Sequence, residues 1–338
     1  MRLAEMTAAP EDDTFPLAGK RIWVAGHRGM VGSAIVRRLQ REPCDVLTVT
    51  RDELDLRRQA PTEAWIDAME PDAIVVAAAR VGGIQANASH PAGFLYDNLA
   101  IATNIIEGAR RAGVAKLLFL GSSCMYPRAA AQPIAEAALL AGPLEPTNEP
   151  YAVAKIAGLK LAESYHREHG CRFISAVPPN LYGPGDNYDP ESAHVLAALV
   201  RRFHLAKEDR LDRVAIWGSG TPTREFLHVD DLADACVLLL RRYEAAPFIN
   251  VGSGREISIR ALAELVAELT GYRGAIDLDP SRPDGTPRKV MDISRILTMG
   301  WRPRIGLREG IAATYRDWLA RAGATPDRTP ALGRPWAH

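Results

Sequence analysis

Tyr151 and Lys155 stand four positions apart in the stretch Tyr-Ala-Val-Ala-Lys. On a helix that spacing puts both side chains on one face, about one turn apart. A phenol titrates near ~10, and an ammonium beside it favours the phenolate, so Lys155 is expected to lower Tyr151 toward the working range. A tyrosine tuned this way can hand a proton to a carbonyl oxygen while hydride arrives at the carbon. Taken alone, the pair more often marks an ordinary helix with one buried Tyr and one solvated Lys. Upstream, an apolar run over 116–120 ends in Gly121-Ser122-Ser123-Cys124. Polar side chains at the tip of a strand are badly placed for packing and well placed for chemistry. Ser122 is a second donor for a carbonyl oxygen. A thiol such as Cys124 titrates near ~8.5 and reacts as thiolate when a cation or a helix end favours it; it is as readily a small buried hydrophobe. His194, of a type that titrates near ~6.5, opens an apparently helical stretch over 194–206 and is either an acid or a helix-start residue.

These residues need a scaffold, and the sequence supplies one. A short apolar run over 21–25 leads straight into Gly26-His-Arg-Gly29-Met-Val-Gly32, then into a helical pattern over 33–41 and a second strand over 45–50. Strand, glycine turn and helix in this order are the setting of a dinucleotide fingerprint, here spaced G-x-x-G-x-x-G. Gly26, Gly29 and Gly32, with Met30 and Val31, would let the backbone approach a pyrophosphate at the helix N-terminus. The end of the second strand selects the cofactor. Arg51 there and Arg28 in the turn are a reasonable clamp for an adenosine 2′-phosphate, which favours NADPH over NAD. Asp52, or a surface pair of Arg51 with Asp52, is the competing reading. Apolar strands over 72–79, 116–120 and 171–177 alternate with helices over 96–112 and 151–168. The pattern predicts an α/β fold, a Rossmann-type doubly wound parallel sheet with a smaller C-terminal α/β substrate lobe. The expected boundaries are a disordered extension over 1–19 and an NADP-binding domain over 20–180, to which 226–252 returns. A substrate lobe over 181–225 and 253–321 and a tail over 322–338 complete the chain. The long Pro- and Ala-rich loop over 128–150 reads as functional, because such loops are otherwise uncommon.

Composition narrows the class. Across 338 residues, Lys plus Arg equals Asp plus Glu at 41 each, so no net field draws the chain to nucleic acid or an acidic membrane. No apolar run reaches the ~18 residues of a membrane span. The opening residues lack the apolar core of a signal peptide. Cys44, Cys124, Cys171 and Cys236 show no C-x-x-C pair and no metal spacing, which fits free thiols in a reducing cytoplasm and no metal.

Together the glycine turn, Ser122, Tyr151 and Lys155 resemble the extended short-chain dehydrogenase/reductases, in which such a Ser, Tyr and Lys form the acid–base set beside a nicotinamide. More narrowly, GHRGMVGSA, VGGI, LGSSCMYP, EPTNEPYAVAKIAG, the WGSGTP and REFLHVDD segments and PDGTPRK resemble members that act on GDP-4-keto-6-deoxy-D-mannose, over residues 20–320. The resemblance implies two steps, epimerisation at C3 and C5 and then NADPH-dependent reduction at C4 to GDP-L-fucose. It implies Cys124 as base and His194 as acid for the first step, and Ser122, Tyr151 and Lys155 for the second. It also implies cofactor contacts from Leu120, Gly121, Ser122, Lys155, Asn180 and His194. In the substrate lobe it places Arg202 and Arg224 on the diphosphate, Trp217 against the nucleotide and Asp284 on guanine or ribose. Arg288 and Lys289 are weaker candidates. A homodimer through the helices at 96–112 and 151–168 is a further implication. One departure is Pro178-Pro179-Asn180 where the family carries Pro-Thr-Asn; Pro179 removes a backbone N–H near the nicotinamide amide.

Two rivals remain open on sequence. One is another nucleotide-sugar enzyme of this fold, a 4-epimerase, 4-reductase or 4,6-dehydratase. Against a 4-epimerase or dehydratase, which recycles tightly held NAD, stand Arg28, Arg51, Cys124 and His194. The other is a non-catalytic NADPH-sensing protein, against which stands the intact Ser122, Tyr151 and Lys155 set.

Overall fold

In the computed structural model the described residues are 13–245, 248–281 and 284–322. Six parallel strands form the main sheet: β1 (Arg21–Ala25), β2 (Asp45–Leu47), β3 (Ala73–Val76), β4 (Lys116–Leu120), β5 (Phe173–Val177) and, after three strands that lie elsewhere, β9 (Ile249–Asn250). Their order is β2-β1-β3-β4-β5-β9. Strand order reverses between β1 and β3, and ligands of such sheets lie outside the carboxyl ends of the strands at that switch point. β3 and β4 are buried at every position, as continuous apolar runs in a two-sided sheet should be.

Helices α1 (Met30–Leu39), α2 (Gln59–Met69), α3 (Ile84–Ser89), α4 (Pro91–Arg111) and α5 (Glu149–His169) fill the crossovers. The helix α5 carries Tyr151 and Lys155. Pro150 in its first turn pre-sets φ, Glu149 complements the N-terminal dipole, and His166, Arg167 and His169 sit at its C-terminal end. Gly158 lets it lie close to the sheet, since a Cβ there would press on the Phe119 ring and on Ala102. That closeness brings Tyr151 over the end of β4.

The rest of the chain builds a second layer around its own core. It contains β6 (Asn180–Tyr182), α6 (Val195–Glu208), β7 (Arg213–Trp217) and β8 (Thr223–His228). The helix α7 (Val229–Arg242) goes back to pack beside α1, ahead of β9. Then come β10 (Glu256–Ser258), α8 (Ile259–Thr270), β11 (Ala275–Asp279), β12 (Arg288–Lys289), α9 (Ser294–Thr298) and α10 (Leu307–Ala322). β8 is the hub: it pairs with β6, β10 and β12, while β7 and β11 form a separate pair. Leu196, Val200, Phe203, Ile216, Leu262 and Val266 form the core of this layer. Ser258 caps α8 as its sequence predicts, its hydroxyl accepting from the Ala261 N–H at 3.1 Å.

The long stretch before α5 is packed rather than loose: Ile134 bridges to Met291, and a 3₁₀ turn spans Glu136–Ala138. The expected disordered extension over 1–19 is corrected for residues 13–19. Phe15 and Leu17 are only 4 % and 3 % exposed and belong to the main core. Asp13 pairs with Arg241 at 2.6 Å and Arg242 at 3.1 Å, and the Phe15 ring is ringed by Lys20, Lys116 and Arg172 at 5.4–5.8 Å. Two apolar side chains in a polar opener were the overlooked signal. Residues 1–12 and 323–338, to which the remaining terminal expectations apply, lie outside the described residues.

Glu244 closes this end of the sheet. It accepts from the fully buried Lys116 ammonium at 2.8 Å, from Arg172, and from the Thr14 hydroxyl at 2.6 Å. Burial alone would raise its carboxyl, but the Arg172, Lys116 and Thr14 hydrogen bonds outweigh that and hold it at about 2, against an ordinary 4.5. A depressed carboxyl stabilises the fold above its unfolded value and loses that contribution as pH falls through the folded one. Urea unfolding should therefore show stability declining between about pH 4.5 and 2, and Glu244→Gln should flatten that decline. An unchanged acid limb in the variant would contradict the assignment.

Candidate functional site

The glycine turn lies at the switch point. Gly26 takes φ +88° and packs on the backbone of Ala78, just beyond β3, and a Cβ on Gly32 would collide with the Gly26 carbonyl. The residue before α1, Gly29, has no side chain to cap the helix, and the first turn holds no acid. Its N–H donors thus face outward toward an anion, which fits a pyrophosphate held by Gly26, Gly29, Met30, Val31 and Gly32. Arg28 and Arg51 are both exposed beside this turn. Near Arg28 stands Glu53, which the sequence reading missed. It accepts from the Thr50 N–H at 2.9 Å and hydroxyl at 2.7 Å, and these bonds, with smaller contributions from Arg28 and His27, hold it below the usual carboxylate range.

Ser122 follows β4 directly and caps a 3₁₀ turn over Ser123–Met125, its hydroxyl accepting from the Cys124 N–H at 3.3 Å. The Ser123 N–H donates to the Pro178 carbonyl at 2.9 Å, tying this turn to the end of β5. The Ser122 hydroxyl also hydrogen-bonds Tyr151. The expected effect of Lys155 on Tyr151 is not what the structure shows. Burial pushes the Tyr151 phenol up, Cys124 adds to the rise, and only the Ser122 bond opposes them. Lys155 is buried beneath, donating to the Leu120 carbonyl at 2.9 Å, 5.0 Å from the Phe119 ring and 5.9 Å from the Tyr151 ring. Burial brings its ammonium down to about 8. The ammonium thus lies 5.9 Å from the Tyr151 ring and is not among the groups that shift the phenol. Tyr151 is a protonated donor in this arrangement, which suits the task of giving a proton to an oxygen.

Cys124 is half-buried and receives two donors: the Asn148 side-chain amide at 3.4 Å and the Lys289 ammonium at 3.8 Å. Asn148 precedes α5 and Lys289 lies on β12, so three distant segments meet at one sulfur. His194 sits immediately before α6. The two residues ahead of it pack on the loop after β3, where Gly83 N–H donates to the Ser192 carbonyl at 3.0 Å. That puts His194 on the same carboxyl edge of the sheet as Ser122. His194 has exposed surface, yet desolvation by the protein around it pushes its imidazolium below the ordinary range. Asn180 is engaged by the second layer, its amide donating to the Glu225 carbonyl at 2.9 Å, so it links β6 to β8 beside the Ser122 turn.

In the second layer, Arg202 on α6 and Arg224 on β8 are both disfavoured as cations by burial; Asp284 and Glu145 counter this at Arg224. A guanidinium that burial disfavours in this way is stabilised by a nearby anion. Trp217 ends β7 and is half-buried. Asp284 holds the turn after it, accepting from the Ser219 N–H at 2.6 Å and hydroxyl at 2.8 Å. Its carboxylate is therefore already engaged by this turn.

The structure brings together Ser122, Cys124, Tyr151 and Lys155, and adds Asn148 and Lys289. The sequence carried both additions, in EPTNEPYAVAKIAG and PDGTPRK, but nothing in spacing ties positions 24 and 165 residues away from Cys124. Glu225 was also missed. This buried carboxylate on β8 accepts from the Gly254 and Met291 N–H groups, each at 2.8 Å, and so fixes the chain leaving Lys289. Burial raises its carboxyl, and those backbone bonds oppose the rise. Among the described residues, no three His, Cys, Asp or Glu side chains gather as a metal site, and no helix is long and apolar enough to cross a membrane.

Comparison with known proteins gives the same direction. Residues 22–252 match the NAD dependent epimerase/dehydratase family. The GDP-L-fucose synthase of Sinorhizobium fredii (strain NBRC 101917 / NGR234) is 55 % identical over 304 residues, covering 90 % of this chain and 97 % of its own. GDP-L-fucose synthase 1 of Arabidopsis thaliana is 56 % identical over 302 residues, with 89 % and 93 % covered. A GDP-L-fucose synthetase from Naegleria fowleri, solved bound to NADP, superposes with a TM-score of 0.84 at 25 % identity, over 93 % of this chain and 98 % of that one.

The clamp expected of Arg28 and Arg51 can be checked by cofactor choice. Arg51→Ala should weaken NADPH binding about ten- to a hundredfold, the range of one lost charge-assisted contact, and leave NADH nearly unchanged. Cofactor titration by fluorescence measures both, and an equal loss for the two would refute the clamp.

Proposed function

The chain belongs to the NAD dependent epimerase/dehydratase family and, within it, to the GDP-L-fucose synthases, and from that premise we propose how one pocket performs both of their steps. The enzyme converts GDP-4-keto-6-deoxy-D-mannose to GDP-L-fucose by epimerisation at C3 and C5 and NADPH-dependent reduction at C4. The observation that carries the assignment of residues is the meeting of Ser122, Tyr151 and Cys124 at the carboxyl end of β4.

In our reading the ketone oxygen O4 lies against the Ser122 and Tyr151 hydroxyls. A 4-keto group acidifies the protons on C3 and C5, and two donors at O4 stabilise the enolate that forms when one is removed. Cys124 takes that proton as thiolate, the C–H electron pair passing into the enolate. His194 returns a proton to the opposite face of the same carbon, so each inversion consumes one proton and supplies one. Solvent exchange then resets the thiol and the imidazole. A depressed imidazolium is a strong acid that is sparsely populated at neutral pH, so proton return should slow as pH rises. Gly26, Gly29, Met30, Val31 and Gly32, with Leu120, Gly121, Lys155, Asn180 and His194, would hold NADPH, which when bound would supply the hydride for C4. Tyr151, held protonated by its surroundings, gives the proton that turns O4 into the hydroxyl. Arg202 and Arg224 hold the diphosphate, Trp217 the nucleotide, and Asp284 either the nucleotide or the turn beside it.

The surface of the two long helices supports a homodimer. Tyr96 on α4 and Val153 on α5 are 61 % and 40 % exposed, large apolar groups on helices that pack side by side. The four cysteines are unpaired, which supports a reducing cytoplasm as the site of action.

Two experiments test this reading. Tyr151→Phe should lower NADPH oxidation by about 10²–10⁴ while NMR still shows exchange of substrate C3 and C5 protons with solvent. Cys124→Ser and His194→Gln should suppress that exchange while leaving NADPH binding intact. Normal turnover in the first variant, or wild-type exchange in both others, would sink the roles assigned. For the assembly, sedimentation should show a dimer that Tyr96→Glu with Val153→Glu converts to monomers. A monomeric wild type would refute it.

A further inference from the structure

We infer that Lys289 and Asn148 are positioning residues that hold the Cys124 sulfur between two N–H donors, ready to remove the sugar proton. The inference rests on Cys124 acting as the base. The sulfur accepts from the Asn148 amide at 3.4 Å on one side and from the Lys289 ammonium at 3.8 Å on the other. A thiol has one proton and is a weak acceptor; two N–H donors aimed at one sulfur suit the anion. The other end of the Asn148 amide supports this: its oxygen is buried without a protein partner. Turned over, the amide would set that oxygen against the sulfur and repel a thiolate beside an ammonium.

Both donors are held in place by their surroundings. Lys289 pairs in register with Arg224 across β12 and β8. Beyond it, the Val290 N–H donates to the Gln132 side chain at 2.9 Å, its carbonyl accepts from Ile134 at 2.8 Å, and the Met291 N–H is taken by the buried Glu225. Asn148 is fixed at the start of α5, three residues before Tyr151. The titratable groups facing the sulfur are Tyr151 from α5 and Lys289 from β12. An ammonium compensates the thiolate, whereas a second anion at Tyr151 would oppose it. The seat therefore favours a base at Cys124 and an acid at Tyr151 in the same pocket.

The test is the pH dependence of Cys124 alkylation by iodoacetamide, followed by peptide mass mapping so that Cys44 and Cys171 are scored separately. Lys289→Met should move the midpoint of the rate profile alkaline by about one pH unit, the effect of losing an opposite charge at this range. It should also reduce solvent deuterium incorporation at C3 and C5 about tenfold. Lys289→Arg should restore most of both. Asn148→Asp, which sets a carboxylate beside the sulfur, should shift the profile further still and serves if the methionine variant does not fold. A profile unmoved in Lys289→Met, or in Asn148→Asp where that variant stands in, overturns the seat. If Cys124→Ser keeps full deuterium incorporation, the base assignment fails separately, since the alkylation profile does not depend on turnover.

Discussion

Two groups that ionise to anions, the Cys124 thiol and the Tyr151 phenol, are crowded against one serine, and they cannot both carry charge cheaply. The rest of the site follows from that constraint. Burial and the neighbouring sulfur keep the phenol protonated, while Asn148 and Lys289 offer the sulfur two donors. Pairs whose surroundings push their ionisation apart divide acid and base duties between them. In the proposed reading, that division would let one ketone be both enolised and reduced without moving the sugar to a second pocket.

Keeping such a pair in register requires a scaffold that reaches it from every side. β4 delivers Ser122 and Cys124, and α5 delivers Asn148, Tyr151 and Lys155, pressed to the sheet where Gly158 meets Phe119. The second layer supplies Lys289 through β12. The buried Glu225 carboxylate on β8 ties that layer to Gly254, just beyond β9, and to Met291 of the main core. Glu225 is costly to bury, and its backbone donors are what make it tolerable. Its position between the two cores makes it the joint of the molecule.

Much of this was legible in the sequence because the signals were local. The glycine turn, the continuous apolar strands and the Tyr151–Lys155 spacing each reflect neighbours a few residues apart. The parallel sheet came from alternation of strand and helix patterns. The short strands of the second layer, β6, β10, β11 and β12, span two to five residues and leave too little periodicity to read. Phe15 and Leu17 looked like part of a polar leader because their partners, Lys116, Arg172 and Arg241, lie more than a hundred residues away. Lys289 escaped as a partner of Cys124 for the same reason. The direction of the Tyr151 shift was misjudged because spacing on a helix gives proximity and says nothing of orientation; Lys155 turns to the Leu120 carbonyl instead.

The most direct test of the central claim, that one pocket enolises and then reduces the same ketone, is turnover of GDP-4-keto-6-deoxy-D-mannose with NADPH in deuterium oxide. NMR of the product should show GDP-L-fucose carrying deuterium at C3 and C5 and protium at C4. A C4-reduced product that retains the substrate configuration and protium at C3 and C5 would contradict it, leaving Ser122 and Tyr151 a reductase site and Cys124 outside the chemistry.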